Sequence, residues 1–139
     1  MKVFESYAPE ATAKIGRDLV RELKPGSMVL LSGELGAGKT TLVKGIAEGF
    51  EAARAEDVTS PTFTLIHEYR GPKVTLFHID LYRIDTQREL DTLALDDLRD
   101  TNSILLIEWG AKFERFRRER DVEIFIEHLV EDRRMIMVT

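Results

Sequence analysis

The spacing of apolar residues changes twice in the early part of the chain. Behind Pro9, residues Ala11, Ile15, Leu19 and Leu23 recur every four positions, which predicts an amphipathic helix that the "KPG" at Lys24 to Gly26 brings to an end. Next comes "MVLLS", Met28 to Ser32, a continuous apolar run of the kind expected in a strand buried on both faces. From Gly38 onward, Leu42, Val43, Ile46, Ala47 and Phe50 form a helical stripe with Lys44 and Glu48 on the opposite side. A glycine-rich stretch therefore joins a buried strand to a helix.

Further along, "TLIHEY" and "KVTLFHID" have strand character and are separated by "RGP" at Arg70 to Pro72, which predicts an antiparallel hairpin. The acidic, leucine-dotted segment Asp85 to Asp100 predicts one or two short helices. "SILLIEW", Ser103 to Trp109, is the second clearly buried strand; "AKFERFRRER" reads as a short helix, and "VEIFIEHL" with "RRMIMVT" as a closing hairpin around "VEDR". Strands alternating with helices predict an α/β fold with a mixed, mostly parallel sheet, flanking helices and antiparallel hairpins. No repeat or linker interrupts the 139 residues, so one domain spanning 1–139 is expected.

Composition narrows the chemistry. The absence of cysteine excludes disulfides, thiolate-held clusters and cysteine nucleophiles. A formal net charge of −5 supplies no global attraction to nucleic acid, so contact with RNA is expected to be indirect or weak and a protein partner is at least as plausible. The first residues lack the apolar core of a signal peptide, and no run approaches transmembrane length, which leads to the expectation of a cytoplasmic protein without membrane contact.

The joining stretch is "LSGELGAGKTTL", in which Gly33, four residues, then Gly38, Lys39 and Thr40 have the spacing of a phosphate-binding loop (P-loop, Walker A). The free N–H groups at a helix start attract anions, and glycines let the backbone close around phosphates. Gly33, Gly36, Ala37, Gly38, Lys39, Thr40 and Thr41 are the candidate nucleotide-binding set, Lys39 as the cation between outer phosphates and Thr40 as a hydroxyl for Mg²⁺.

Hydrolysis also needs carboxylates for the metal and the water. Asp80, closing "KVTLFHID", and Glu108, closing "SILLIE", are the candidates, and spacing leaves open which lies nearer a metal. "VTSPTFTL", Val58 to Leu65, carries hydroxyls on both sides of Pro61, at Thr59, Ser60 and Thr62, and is a candidate segment for ordering by a γ-phosphate.

Taken in order, "GELGAGKTT", "SPTFTL", "HIDLYR" and "IEW" resemble the TsaE (YjeE) family, the small ATPase subunit of bacterial tRNA threonylcarbamoyladenosine synthesis. The resemblance runs over nearly the whole chain. It implies a single P-loop NTPase domain that binds ATP or ADP with Mg²⁺. The implied partners are the tRNA threonylcarbamoyl transferase subunit and its inactive paralogue, which ATP turnover would reset. By position, Lys39 and Thr40 take the loop roles, Glu108 that of a magnesium-site carboxylate, Asp80 that of the acid needed for hydrolysis, and Thr62 that of a switch residue near the γ-phosphate and metal. Trp109 matches an aromatic near the nucleotide. Thr12 and Arg133 match outer nucleotide contacts, with Arg134 adjacent as an alternative to the latter. Gly110 stands where many members have proline.

The rival functions are a small-molecule kinase, for which little chain length remains to build an acceptor pocket, and a non-catalytic module that uses ATP to order "SPTFTL" for docking. No Asn-Lys-x-Asp stretch supports guanine recognition. His78 is expected to support its strand or Asp80, and no zinc spacing occurs. Lys112 to Arg120, with five basic and two acidic residues, is expected to be a solvated helix face.

Overall fold

In the computed structural model, which describes all of residues 1–139, one seven-stranded sheet runs through the molecule with helices on both faces. The strands are β1 (Lys2–Ser6), β2 (Met28–Ser32), β3 (Ile66–Arg70), β4 (Thr75–Asp80), β5 (Ser103–Glu108), β6 (Val122–His128) and β7 (Arg134–Val138). The helices are α1 (Pro9–Leu19), α2 (Lys39–Gly49), α3 (Gln87–Thr92) and α4 (Glu114–Glu119). Sheet order is β1-β7-β6-β2-β5-β4-β3.

The four central strands β6, β2, β5 and β4 run parallel, while the hairpins β3–β4 and β6–β7 and the pair β1–β7 are antiparallel. β2 and β5 are the apolar runs, and burial on both faces is what places them at the centre. Side-chain alternation then splits the core. Val29, Leu31, Leu76, Ile104 and Leu106 meet α1 and α2, whereas Met28, Leu30, Ile79, Leu105 and Ile107 meet the layer that contains Leu90 and Phe116.

The helix predicted from Ala11, Ile15, Leu19 and Leu23 forms, and Leu19 and Leu23 enter the core with Ile15 packed against it, but the deepest part of its buried face also takes in Thr12 and Gly16. Its buried residues are Thr12, Gly16 and Leu19. The cause is its crossing with α2: a Cβ on Gly16 would lie 2.4 Å from the Leu42 carbonyl oxygen, and one on Gly45 would lie 1.9 Å from that of Ala13. The two helices meet backbone to backbone, which draws small residues, not large ones, to the contact.

Three further details depart from the sequence reading. β1 was not expected; it is mostly exposed and exists through its pairing with β7. β3 begins at Ile66 and not at Thr64, because Leu65 is left-handed (φ 71°) and its N–H closes a turn on the Pro61 carbonyl at 2.6 Å. β5 stops before Trp109, which is itself left-handed at φ 62°. Asp85 to Asp100 folds as α3, with a Thr86–Glu89 capping box, followed by a short 3₁₀ turn. No helix is long and apolar enough to cross a membrane.

Candidate functional site

The parallel centre brings the ends of three strands to one edge. β2 ends at Ser32 and releases the glycine loop; Asp80 and Glu108 end β4 and β5 and stand directly opposite each other in register. Leu31 is in turn opposite Glu108. A cavity of about 320 Å³ at this edge is bordered by Leu35, Gly36, Gly38, Lys39, Thr40, Thr41, Thr62, Asp80, Glu108 and Arg134. Most of the loop residues named from the sequence thus share one space with Thr62 and both carboxylates.

Gly36 and Gly38 take φ values of 80° and 109°, where a side chain would be strained, and this lets the loop turn into α2. Gly33 contributes differently, by permitting close approach: a Cβ there would lie 2.5 Å from the Ile126 carbonyl oxygen of β6. Ala37 is buried, and its carbonyl accepts a hydrogen bond from Arg134 Nε at 2.7 Å.

Lys39 is only 6% exposed. Its ammonium donates to the carbonyl oxygens of Gly33 and, at 3.2 Å, of Glu34. It also lies 4.0 Å from Glu108 Oε1 and 4.6 Å from the centre of the Trp109 ring. Burial pushes its pKa below the ordinary lysine value, against the opposing pull of Glu108, Asp80 and Glu34.

Asp80 is buried and accepts from the Thr62 hydroxyl at 2.9 Å through Oδ2 and from the Tyr82 N–H at 2.8 Å through Oδ1. Thr62 in turn belongs to the turn that leads into β3. Glu108, also buried, is in hydrogen-bond contact with His78 Nε2 through Oε2. His78 therefore supports Glu108 and not Asp80, because it is two residues from Asp80 on the same face of β4 and faces across to β5.

Trp109 packs between Lys39 and Tyr82, whose ring centre is 5.1 Å away, and its indole N–H is buried without a protein partner. Thr12 is buried beside the loop, with its hydroxyl 2.7 Å from that of Ser6. It borders a smaller recess with Pro9, Gly38, Thr41, Asp132 and Arg134.

Arg133 is a correction. It points away from the loop, pairing with Glu5 at 2.9 Å and lying over Tyr7, whereas Arg134 borders both the main cavity and the recess. Adjacent residues entering a strand project to opposite sides. A signal for the right choice existed: Ile136 and Val138 share the core with α1 and α2, and Arg134 is in phase with them. The register Ser6 to Arg134 then ties Thr12, Ser6 and Arg134 together at the loop, so the unexpected β1 helps to build the site.

The basic segment around α4 is the largely exposed face expected of it, and it also carries surface ion pairs. Arg115 pairs with Asp96 and Glu119, and Lys112 lies 3.7 Å from Asp85, so the positive segment meets the acidic one.

The chain is also similar to proteins of one known family. Residues 6–136 match the family model described as threonylcarbamoyl adenosine biosynthesis protein TsaE. The chain belongs to the TsaE family. Among its relatives, the tRNA threonylcarbamoyladenosine biosynthesis protein TsaE of Bacillus subtilis (strain 168) is 38% identical over 131 residues, covering 94% of this chain and 80% of that protein. The protein of the same name from Treponema pallidum (strain Nichols) is 36% identical, with 96% of each chain covered. A crystal structure of YdiB from Bacillus subtilis superposes with a TM-score of 0.70 at 31% identity, covering 97% of this chain and 82% of that one. Homologues of this TsaE-family chain thus act in tRNA threonylcarbamoyladenosine biosynthesis.

Proposed function

We propose that this chain is a Mg²⁺-dependent P-loop ATPase that acts on the tRNA threonylcarbamoyl transferase subunit and its inactive paralogue, coupling ATP turnover to threonylcarbamoylation of tRNA adenosine. The observation that carries this reading is the shared cavity, in which loop residues Gly36 to Thr41 face Thr62, Asp80 and Glu108.

Backbone N–H groups at the start of α2 would hold phosphate oxygens, with the helix dipole favouring their charge. Lys39 would exchange the Gly33 and Glu34 carbonyls for the outer phosphates, and that exchange is favourable because a carbonyl satisfies a buried ammonium less well than an anion does. The donors present suit Mg²⁺: the Thr40 hydroxyl and the Asp80 and Glu108 carboxylates are hard oxygen donors around one cavity, and this ion uses few protein ligands beside phosphate and water. When bound, it would neutralise charge developing on the transferred phosphoryl group.

Asp80 would orient the attacking water and accept its proton once the Thr62 hydroxyl gives way at Oδ2. Water oxygen bonds to the γ-phosphorus, the bond to the β–γ bridging oxygen breaks, and ADP and phosphate leave. Arg134, the one arginine at the cavity, is held by the Ala37 carbonyl on the Thr41 side, away from Thr62 and Asp80. An arginine at the γ-phosphate is worth about 10³ to 10⁵ in rate where one operates. Slow turnover alone, and productive turnover with the transferase pair, follow from this.

One observation favours a second reading, a module that binds ATP to order residues 58–65 for docking: both Asp80 oxygens are already engaged. Reconstitution with the transferase pair, following phosphate release and tRNA modification together, separates the two. Release that tracks modification supports the ATPase; modification with ATP but without phosphate release supports the docking module.

A further inference from the structure

His78 has no part in the reaction above, yet it is wholly buried against Glu108, which borders the cavity. Its Nε2 faces Glu108 Oε2, while its Nδ1 is buried and has no protein partner. That asymmetry identifies the donor. A proton on Nδ1 would be a buried N–H without an acceptor, and a bare Nε2 would set its lone pair against a carboxylate oxygen, so the proton belongs on Nε2.

The two oxygens of Glu108 consequently have different surroundings. Oε2 is taken by the imidazole, and Oε1 lies 4.0 Å from Lys39 on the cavity side. His78 is wholly buried on β4, which is paired with β3 on one side and β5 on the other. Without its N–H, Glu108 could turn both oxygens onto the Lys39 ammonium.

Resting on the proposed nucleotide and magnesium site, we propose that His78 is a positioning residue: its Nε2–H holds Glu108 so that Oε1 alone is offered to the cation that accompanies nucleotide. Hydrogen bonds behind a metal ligand orient it, and losing one costs about 10- to 100-fold in metal affinity.

The test is calorimetric titration of ADP into the full chain, in Mg²⁺ and in EDTA, for the unaltered protein, His78→Leu and His78→Gln. Glutamine can place an amide N–H near the position of Nε2, and leucine cannot. The unaltered chain should gain affinity in Mg²⁺. His78→Leu should lose about tenfold of that gain with its affinity in EDTA within about twofold of the parent, and His78→Gln should recover most of the loss. A merely structural histidine would move melting temperature in both variants and leave the magnesium gain alone.

Retention of the full gain by a folded His78→Leu, or its equal loss in both variants, would overturn the proposal. Should the leucine variant not fold, ¹⁵N NMR of the unaltered chain tests the hydrogen bond on which the proposal stands: a proton on Nε2 is expected, and a bare Nε2 with the proton on Nδ1 refutes it. Failure of the unaltered chain to bind nucleotide at all would instead refute the proposed function, while the NMR result stands independently.

Discussion

The two walls of the cavity are built in opposite ways. The loop wall, Gly33 to Thr41, is contiguous in sequence, and its geometry is local: two left-handed glycines and a helix start. The opposing wall collects Thr62, Asp80 and Glu108 from a turn and two strands, and it exists only because β4 and β5 are parallel and in register. A contiguous wall can grip phosphate by itself. On the proposed function, the assembled wall is where the sheet's topology would decide what happens to that phosphate, so binding and hydrolysis should be separable by mutation.

Asp80→Asn is the severest test of that separation. The amide keeps the shape but can neither take a proton nor supply full negative charge, and loss of a general base costs about 10² to 10⁴ in rate. Single-turnover hydrolysis should fall by about 10² or more, while nucleotide affinity measured in EDTA, where Asp80 has no metal to hold, should change by less than about fivefold, the worth of one surface charge contact. Equal loss of both would merge the two walls into one functional unit.

On the other wall, Lys39→Ala should weaken ATP binding by about 10- to 100-fold, the worth of charge-assisted hydrogen bonds of about 1.5–3 kcal/mol. Titration calorimetry checks it. Undiminished affinity would mean that the loop grips through backbone N–H groups alone.

How much of each wall could be read in advance follows from the same contrast. The loop, its strand and its helix were legible because spacing and periodicity are local properties. Asp80 and Glu108 were legible as strand-ending carboxylates, and even the segment holding Thr62 stood out through its hydroxyls around Pro61. Their juxtaposition was not, since strand order and register depend on long-range packing. β1 escaped notice because its exposed residues carry little apolar pattern, and its partner β7 lies at the far end of the chain. The apolar stripe of α1 was legible, but its close crossing with α2 was not, because Gly16 and Gly45 act through the absence of a side chain, which a hydrophobic stripe does not register. The choice between Arg133 and Arg134 needed only the alternation of β7.

That last choice gives a smaller test of where the loop wall ends. Arg134→Ala should weaken nucleotide binding by about five- to tenfold, through one partly exposed cationic contact. Arg133→Ala should leave binding unchanged, since its partners Glu5 and Tyr7 lie outside the cavity. Reversal of the two would place the nucleotide on the Tyr7 side of β1.

The smallest expected effect lies where the walls touch. Lys39 belongs to the loop, but its charge is balanced in part by Glu108, and burial still leaves its pKa below the ordinary value. The folded chain therefore releases this proton at lower pH than the unfolded chain does. Below the folded pKa both states hold the proton; between the folded pKa and the ordinary value, about 10.4, only the unfolded state does. Stability rises with pH wherever the unfolded state binds more protons. Lys39 should thus contribute a rise in stability on approaching pH 10, absent in Lys39→Met and seen in urea melts across that range. Glu108→Gln removes the foremost of the charges that oppose the burial effect, so the rise should begin at lower pH. An unchanged onset in Glu108→Gln would mean that, without nucleotide, the two walls do not sense each other.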